Sequence, residues 1–321
     1  MKYVIYGAGA IGGTIGARLH MIGRSVTLIA RGEHLEKIRS HGLEFSEPDG
    51  TTTLRIPVAA TPAELDIDAD DVVFLATKSQ DTFDAVRTLA SAAPPNIHLV
   101  CAQNGVDNER VALRYFSNVD AALVVVAADH LQPGTVLRFG EPFVGILDVG
   151  RYPHGTDDAV GRITSDLRDA GFRSRADPQV MRAKYRKLYY NLGNVVGALI
   201  GPDDELAARA RAEADVVFEA AGVAIATPEE DRRRREGLRT SDAHAGARRG
   251  GSSWQSLARG TGSIETDHLN GEVVLLGRLH GIPTPVNEVL CNLARDAARA
   301  KAAPGSLDRA LVESHILDRI G

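Results

Sequence analysis

The first stretch of the chain with chemical meaning is a run of glycines near its start. Gly7-Ala8-Gly9-Ala10-Ile11-Gly12 has the spacing G-x-G-x-x-G and follows the short apolar run 3–6. Between a strand and a helix, the first glycine allows a tight turn, the second lets a pyrophosphate approach the backbone, and the third lets the helix pack closely. The N–H groups that begin the helix then face the phosphates. The stretch predicts a dinucleotide-binding turn rather than an ordinary glycine-rich βα turn.

Three polar side chains are expected beside this turn, because each one follows a predicted strand. Arg31 comes after the strand 25–29, where an acidic residue would bind the ribose of NAD and an arginine accommodates the 2′-phosphate of NADP. NADP is therefore favoured, the alternative being a solvated arginine that opens a helix. Lys78 ends the apolar run 71–77 and Asn104 follows the strand 98–101, at carboxyl ends where ligands of open α/β sheets lie. The alternatives are a solvent lysine and a common Asn-Gly turn.

A second group of polar residues lies on the helical stretch 180–200. Lys187 and Asn191 are four residues apart and Asn194 is seven from Lys187, so one continuous helix would present all three on one face. A lysine and two amides on a largely apolar helix cost free energy if they are buried and idle. Because most helical lysines are solvated, these residues alone leave a catalytic and a solvated Lys187 both open.

The elements that position these residues are of two kinds. Up to residue 178, apolar β-branched runs alternate with helical patterns, and a hairpin is indicated around Pro48-Asp49-Gly50, which predicts an α/β domain. Its later strands are predicted at 120–127, 135–139, 143–148 and 172–175. Beyond it, strand patterns disappear and helices are predicted at 180–200, 204–221, 264–280 and 285–301. We therefore expect two domains, residues 1–178 and 179–321.

Composition argues against several classes of protein. A formal charge of −5 gives no broad reason to expect nucleic acid or an anionic membrane as partner. The basic run 231–235 has no aromatic residue and is interpreted as a solvated helix face. Cys101 and Cys291 show neither metal-ligand nor disulfide spacing. No signal peptide pattern and no apolar run near the ~20 residues of a membrane span is found, so we expect a soluble cytoplasmic protein without a metal site.

Together these residues resemble the ketopantoate reductases (2-dehydropantoate 2-reductases) over nearly the whole chain. The resemblance rests on an ordered set of motifs: the glycine run, Arg31, Lys78, QNGVDNE at 103–109, KLYYN at 187–191, Ser252-Ser253 and ETDHLNG at 265–271. It implies a Rossmann-type N-terminal domain, an all-α C-terminal domain and NADPH in the cleft between them. The implied reaction is hydride transfer from NADPH to the C2 carbonyl of a 2-oxo acid, ketopantoate in pantothenate and CoA biosynthesis.

The same resemblance assigns roles to individual residues. It implies that Lys187 is the general acid that polarises the ketone, and that Glu265 accepts a hydrogen bond from the substrate hydroxyl. It also implies that Asn191, Asn194 and Ser253 hold the substrate, with Ser253 near its carboxylate. Asn104 is expected at the nicotinamide end, in reach of cofactor and substrate. Without the resemblance, Glu265 would be interpreted as a first-turn carboxylate that stabilises a helix dipole.

The chain departs from the family pattern in its second half. Trp254-Gln255-Ser256-Leu257 follows the two serines where Met-x-Gln-Asp is expected, and Asn194 comes three residues after Asn191 instead of four. These departures leave open a paralogue that reduces another branched or bulky 2-oxo acid. A non-catalytic NADP(H)-sensing module and a dehydrogenase running in the oxidative direction are further alternatives. A helical domain with apolar faces also allows a homodimer.

Overall fold

The structure, a computed structural model, describes residues 1–241, 250–260 and 262–320. These residues form two compact units. The first contains 1–104, 108–184 and 228–241, and the second contains 105–107, 185–227, 250–260 and 262–320. This division differs from the boundary expected from the sequence at 105–107, 179–184 and 228–241. None of the helices in the described ranges is both long and apolar enough to cross a lipid bilayer.

All of the described strands belong to the first unit. They are β1 (Tyr3–Tyr6), β2 (Val26–Ile29), β3 (Leu43–Glu47), β4 (Gly50–Leu54), β5 (Val58–Ala59), β6 (Val72–Leu75), β7 (His98–Cys101), β8 (Asn118–Val125), β9 (Ala128–Asp129), β10 (Thr135–Arg138), β11 (Gly140–Glu141), β12 (Ile146–Arg151) and β13 (Arg239–Thr240). Seven of them form one sheet in the order β12-β8-β7-β6-β1-β2-β5. Its strands pair in parallel, except that β12 runs antiparallel to β8.

Helices flank this sheet and make up most of the second unit. They are α1 (Ala10–Met21), α2 (Gly32–His41), α3 (Thr82–Ala90), α4 (Asn108–Ala112), α5 (Asp158–Asp169), α6 (Val180–Asn191), α7 (Asn194–Leu199), α8 (Asp204–Ala220), α9 (Pro228–Arg235), α10 (Ser252–Ala258), α11 (Asn270–His280), α12 (Pro285–Arg299) and α13 (Arg309–Ile320). The predicted α/β domain followed by a helical one is confirmed. The C-terminal helix α13 was not expected from the sequence.

The strand β6 is apolar at every position because the sheet is covered on both faces. Val73 and Leu75 belong to a buried cluster that includes residues of α3 and α4. Phe74, between them, belongs to a second cluster with residues of α1 and α5. Consecutive side chains of a strand point to opposite faces, so a strand such as β6, buried on both sides, favours apolar residues throughout.

Two predictions on strands have different outcomes. The predicted hairpin is confirmed, since β3 and β4 pair antiparallel and join β10 and β9 in a second sheet. The predicted strand 172–175 is wrong, because this segment makes only isolated bridges to β12 at Arg173 and Ala176. The ladder is interrupted where the Arg175 N–H donates to the Asp148 carboxylate at 3.1 Å instead of to a backbone carbonyl. Local side-chain acceptors of this kind compete with sheet pairing.

The predicted continuous helix 180–200 is wrong, because it is interrupted between α6 and α7. The Leu192 carbonyl oxygen at the interruption accepts a hydrogen bond from Asn270 Nδ2 at 3.1 Å. Gly193 makes room for α8, since a Cβ there would lie 3.1 Å from the Ala207 Cβ. Asn194 therefore starts a separate helix, α7, instead of lying on one continuous helix with Lys187.

Another helix prediction in the second unit needs correction. Glu265 lies in a separate 3₁₀ helix, Glu265–His268, and α11 begins only at Asn270, so Glu265 is not a first-turn residue of that α-helix. Ser253 lies in the first turn of α10, a helix for which the sequence analysis made no prediction. In the first unit, Arg234 of the basic run is not solvated, since its Nε donates to the Asp148 Oδ2 at 2.6 Å.

A buried polar network connects the helices of the second unit. The Glu213 carboxylate of α8 accepts from the Val286 and Asn287 N–H groups, at 2.8 and 3.0 Å, at the start of α12. Burial raises the pKa of Glu213, and these hydrogen bonds oppose the rise. Asn287 Oδ1 in turn accepts from Asn270 Nδ2 at 2.9 Å, the amide that also reaches the Leu192 carbonyl. The network therefore fixes α8, α11 and α12 around the break between α6 and α7.

The helix α1 packs unusually close to the sheet because glycines face it. A Cβ at Gly12 would overlap the Gly7 carbonyl oxygen and lie 2.9 Å from the Ile5 Cγ2. A Cβ at Gly16 would lie 2.6 Å from the Leu28 Cδ2. Neither site has room for a side chain, so the turn and the first helix have a single compatible packing.

We predict opposite effects for Gly12→Ala and Gly161→Ala. The first forces α1 off the sheet and should lower Tm and dinucleotide affinity. The second lies in α5, where no atom of another described segment comes within 4 Å of a new Cβ, so it should raise stability by about 0.5–1 kcal/mol through helix propensity. Calorimetric unfolding of both variants checks this pair, and a Gly12→Ala chain as stable as the parent would contradict the packing argument.

Candidate functional site

The turn between β1 and α1 leaves an open space bounded by backbone. Gly7 has a positive φ of 106°, and a Cβ on it would lie 2.8 Å from the Ala76 carbonyl carbon. Gly9 is the N-cap residue of α1, and among the described residues a Cβ on it would come no closer than 3.9 Å, to the His130 Cδ2. As far as the described part of the chain goes, the space before Gly9 is thus open at the positive end of a helix. Backbone N–H groups there can bind phosphate, so the residues present fit a dinucleotide.

The remaining residues of the predicted turn have distinct positions. Ala8 is buried, and its carbonyl oxygen lies 2.8 Å from the His34 Nε2. Ala10 and Ile11 form the first turn of α1 and are half-buried. The contact with His34 was not anticipated from the sequence, because His34 belongs to α2 and carries no motif.

Arg31 is exposed at the start of α2 and is paired with one carboxylate. Its Nη2 lies 3.2 Å from Asp81 Oδ2, and its side chain is 77% exposed. Exposed ion pairs contribute little to stability, so this pair can open in exchange for a phosphate. Arg24, at the other end of β2, is paired with Asp166 at 2.7 Å. Arg31 is therefore the better placed of the two arginines for a 2′-phosphate.

Lys78 and Asn104 lie on neighbouring loops at the carboxyl edge of the sheet. The main-chain oxygen of Asn104 accepts from Ser79 Oγ at 3.1 Å and from Asn108 Nδ2 at 2.8 Å. Thr82 Oγ1 donates to Asn108 Oδ1 at 2.7 Å. The structure thus brings the two loops together through Ser79 and Asn108. Sequence reasoning gave neither residue a role, since Ser79 belongs to no motif and Asn108 was noted only as part of the motif 103–109.

A buried ion pair supports the same region. Lys184 Nζ lies 2.5 Å from Glu109 Oε1 and 3.4 Å from the Gln103 carbonyl oxygen, and both charged side chains are buried. Breaking such a pair leaves a charge without compensation. The pair therefore anchors the first turns of α6 beside the residue that precedes Asn104.

The second unit contains the predicted catalytic residues and three of the four predicted substrate-binding residues. Lys187 is half-buried on α6, and Asn191 is the last residue of that helix. They keep the spacing of four residues that places them on one helix face. Asn194 and Ser253 lie at the starts of α7 and α10, which contact each other.

Asn194 lies beside Gly251, the N-cap residue of α10. A Cβ at Gly251 would lie 3.2 Å from the Asn194 Oδ1, so a larger residue there would press on this amide. Ser253 is 2% exposed, and its Oγ has no hydrogen-bond partner among the residues that the structure describes. Buried polar atoms are nearly always satisfied, so this hydroxyl indicates a site for a ligand oxygen.

Glu265 and Trp254 belong to segments next to or within α10, the helix that carries Ser253. Glu265 is 4% exposed in its 3₁₀ helix, which contacts α10. A Cβ at Gly250 would overlap the Trp254 side chain, so the indole packs on the backbone of Gly250. Trp254, the departure noted in the sequence, is thus a fixed part of the segment that presents Ser253.

The segment after Asn104 contributes one more pair to the second unit. Asp107 Oδ2 lies 2.7 Å from His268 Nδ1, in the 3₁₀ helix that carries Glu265. The hydrogen bond that His268 donates to Asp107 raises the pKa of His268, burial opposes the rise, and the charges of Asp107, Glu265 and Asp267 add to it. Sequence reasoning placed Asp107 within a motif and gave it no role, because its histidine is 161 residues away.

Sequence models of one family match most of the chain. The model described as "Ketopantoate reductase PanE/ApbA" matches residues 3–153, and "Ketopantoate reductase PanE/ApbA C terminal" matches residues 179–298. The 2-dehydropantoate 2-reductase of Halobacterium salinarum is 32% identical over 314 residues, covering 93% of this chain and 99% of that protein. The 2-dehydropantoate 2-reductase of Mesorhizobium japonicum is 30% identical, covering 93% and 98%.

Solved structures share the architecture. A PanE/ApbA family ketopantoate reductase from Ralstonia eutropha has a TM-score of 0.76 at 28% identity, covering 94% of this chain and 99% of that chain. A D-mandelate dehydrogenase solved with NADH and anilino(oxo)acetate has a TM-score of 0.80 at 21% identity, with the same coverage. At that identity the dehydrogenase shows a common fold alone.

The Asp107–His268 pair predicts a pH-dependent share of stability. A histidine whose folded-state pKa is raised stabilises the fold fully below its unfolded value of about 6.5, and this stabilisation is lost as pH rises through the folded-state value. Asp107→Asn should therefore lower Tm more at about pH 5.5 than at about pH 9. Calorimetry of the parent and of Asp107→Asn at both pH values measures the difference in Tm. A larger difference in Tm at the alkaline pH would contradict the raised pKa of His268.

Proposed function

This chain belongs to the ketopantoate reductase family, and we propose that it reduces a 2-oxo acid with NADPH, ketopantoate being the substrate. Pantoate would be the product, for pantothenate and CoA biosynthesis. The observation that supports the proposal most is the buried Ser253 hydroxyl without a partner among the described residues, in the unit that also carries Lys187, Asn191 and Glu265. The glycine turn of the first unit supplies the complementary cofactor site.

The first unit would hold the cofactor through backbone and cationic groups. NADPH supplies a hydride when bound. The open space at Gly9 would accept the pyrophosphate against the start of α1, and Arg31 would release Asp81 to bind the 2′-phosphate. Lys78 and Asn104, on their joined loops, would bind the nicotinamide half of the molecule, where the Asn104 amide can both donate and accept.

The second unit would supply the proton and hold the acid. Negative charge develops on the ketone oxygen during reduction, so a cationic Lys187 would stabilise it and then donate the proton. Ser253 Oγ would donate to the substrate carboxylate, which would satisfy its buried hydroxyl. Asn191 and Asn194 would bind the remaining polar atoms of the acid. Glu265 would accept from the product hydroxyl.

Trp254 favours a second candidate, a family member that prefers another branched or bulky 2-oxo acid. Rates of NADPH oxidation across a panel of 2-oxo acids separate the two. The proposal expects the highest kcat/KM for ketopantoate, at about 10⁴ M⁻¹s⁻¹ or above. A higher kcat/KM for another 2-oxo acid would make that acid, and not ketopantoate, the proposed substrate. Tight NADPH binding with no turnover of any acid would favour a sensing module, and preferential activity with 2-hydroxy acids and NADP⁺ would favour an oxidative dehydrogenase.

The proposal extends to a cytoplasmic homodimer formed by the second unit. Leu275 and Leu279, one turn apart on α11, are 44% and 66% exposed. Exposed apolar side chains that adjoin one another on a helix suit a subunit interface. Light scattering after size-exclusion chromatography measures the mass, and a monomer at micromolar concentration would exclude the dimer.

Lys187→Ala should lower kcat by roughly 10²–10⁴-fold, since it removes the general acid. The Kd for NADPH should stay unchanged, because no cofactor contact is assigned to Lys187. Lys301→Gln, an exposed lysine of the same unit, serves as the matched control and should keep the parental kcat. Retention of full activity by Lys187→Ala would refute the proposed proton donor.

Arg31→Ala should weaken NADPH binding and leave NADH binding nearly unchanged. Losing one charge-assisted phosphate contact costs roughly 1.5–3 kcal/mol, about ten- to a hundredfold in Kd. Arg39→Ala, an exposed arginine on the same helix, should change neither Kd. Fluorescence titration gives the Kd of the parent and of both variants for each cofactor. If Arg31→Ala lost equal affinity for NADPH and NADH, Arg31 would not be a ligand of the 2′-phosphate.

A further inference from the structure

We propose that Asp81 is a specificity-determining residue, which competes with the 2′-phosphate of NADPH for Arg31 and thereby limits the preference of this chain for NADPH over NADH. The inference rests on the proposed function, in that Arg31 binds the 2′-phosphate. Asp81 belongs to none of the motifs identified in the sequence. Its role follows from the arginine that it contacts.

Arg31 and Asp81 lie on the loops at either side of β1. The order of the sheet places β1 between β2 and β6, and both neighbours run parallel to it. Arg31 follows β2, and Asp81 ends the 3₁₀ helix Ser79–Asp81 that follows β6. Arg31 Nη2 lies 3.2 Å from Asp81 Oδ2. The ion pair therefore connects the two loops beside the carboxyl end of β1, where ligands of open α/β sheets lie.

The last residue of β1, Tyr6, has both charges nearby. Burial raises the pKa of the Tyr6 hydroxyl, the charge of Arg31 and a hydrogen bond with Thr88 lower it, and the charge of Asp81 raises it. Since Gly7 follows Tyr6 directly, both charged side chains lie next to the glycine turn that would hold the cofactor.

The carboxylate of Asp81 serves the ion pair and not its own helix. Asp81 is the N-cap residue of α3, but its side chain accepts no capping hydrogen bond. Within the described ranges of the chain, Arg31 and Asp81 are each other's single ion-pair partner. Asparagine is an equally good N-cap residue. Asp81→Asn therefore removes the charge with little effect on the fold.

Two electrostatic effects of Asp81 oppose the binding of NADPH. The ion pair is lost when Arg31 exchanges the carboxylate for the phosphate. The carboxylate also repels the phosphate, because a phosphate oxygen bonded to the same guanidinium at about 2.8 Å would lie roughly 6 Å from the carboxylate. In water, each pair of like unit charges at about 6 Å lowers affinity roughly threefold. A phosphate monoester carries a charge of about −1.5 to −2 at neutral pH.

One effect of Asp81 favours NADPH, since the ion pair orients Arg31 before the cofactor arrives. This effect is small, because the side chains of Arg31 and Asp81 are 77% and 40% exposed and share a single contact, and such pairs order a side chain weakly. The net effect of Asp81 on NADPH binding is therefore unfavourable. NADH has a neutral 2′-hydroxyl, so Asp81 does not discriminate against it.

The test is a fluorescence titration of the parent chain and of two variants with NADPH and with NADH, in about 0.02 M salt, where exposed charges are screened little. Asp81→Asn should bind NADPH about five- to tenfold more tightly than the parent, with a Kd for NADH within about twofold of the parental value. Asp84→Asn is the matched control. It removes the same charge from an exposed position in α3, where Asp84 pairs with Arg87 at 3.3 Å, and it should change neither Kd by more than about twofold.

A titration at high salt separates a charge effect from a new contact. The Debye length is about 3 Å in 1 M salt, which is shorter than the separation between the carboxylate and the phosphate. The advantage of Asp81→Asn over the parent should therefore fall below about twofold in about 1 M salt. An advantage that persists unchanged in high salt would show an uncharged contact of the new amide and would overturn the competition.

The outcomes also separate this inference from the function on which it rests. A parental or weaker Kd of Asp81→Asn for NADPH at low salt, while Arg31→Ala still weakens that binding, would overturn the role of Asp81 and leave the cofactor proposal intact. A parent chain that does not bind NADPH, or an Arg31→Ala chain that binds it as the parent does, would overturn both. NADH binding reports whether a variant is folded, and Asp81→Ser, which keeps an N-cap residue, replaces Asp81→Asn if that variant loses NADH as well.

Discussion

The first unit depends on the close approach of α1 to β1. A side chain at Gly12 would overlap the Gly7 carbonyl, and one at Gly7 would collide with the loop after β6, so strand, turn and helix have one compatible packing. That packing leaves Gly9 and the helix start facing open space. Because β2, β1, β6 and β7 are parallel neighbours, their carboxyl ends lie at the same edge of the sheet. Arg31, Lys78 and Asn104 follow these strands and are therefore placed around that one opening.

The second unit positions its polar side chains through interruptions of helices. Asn191 ends α6, Asn194 begins α7, and Ser253 lies in the first turn of α10. Interruptions expose backbone groups that must be satisfied, and the side chain of Asn270 does this at the Leu192 carbonyl. The network that includes Asn270 therefore has two effects, since it packs the helices together and stabilises the break next to the predicted substrate-binding residues.

Local patterns in the sequence predicted what local forces determine. The glycine spacing placed the turn, and continuous apolar runs placed the buried strands, because both depend on near neighbours along the chain. The break after Asn191 was missed because it depends on a hydrogen bond from a residue 78 positions away. The pairing of Arg31 with Asp81, 50 positions apart, and the tilted contact between the His34 and His130 rings were missed for the same reason. Roles for Ser253 and Glu265 came from family resemblance, since no periodicity distinguishes them from ordinary helix-start residues.

The assigned roles converge on one event, the transfer of a hydride from C4 of the nicotinamide to the carbonyl carbon of a 2-oxo acid. It is measured directly by incubating the chain with ketopantoate and NADPH dideuterated at that carbon, and by following deuterium into the product by mass spectrometry. We predict a hydroxy acid with one deuterium at C2. Product without deuterium, or ketopantoate left unchanged while the chain binds NADPH, would contradict the account.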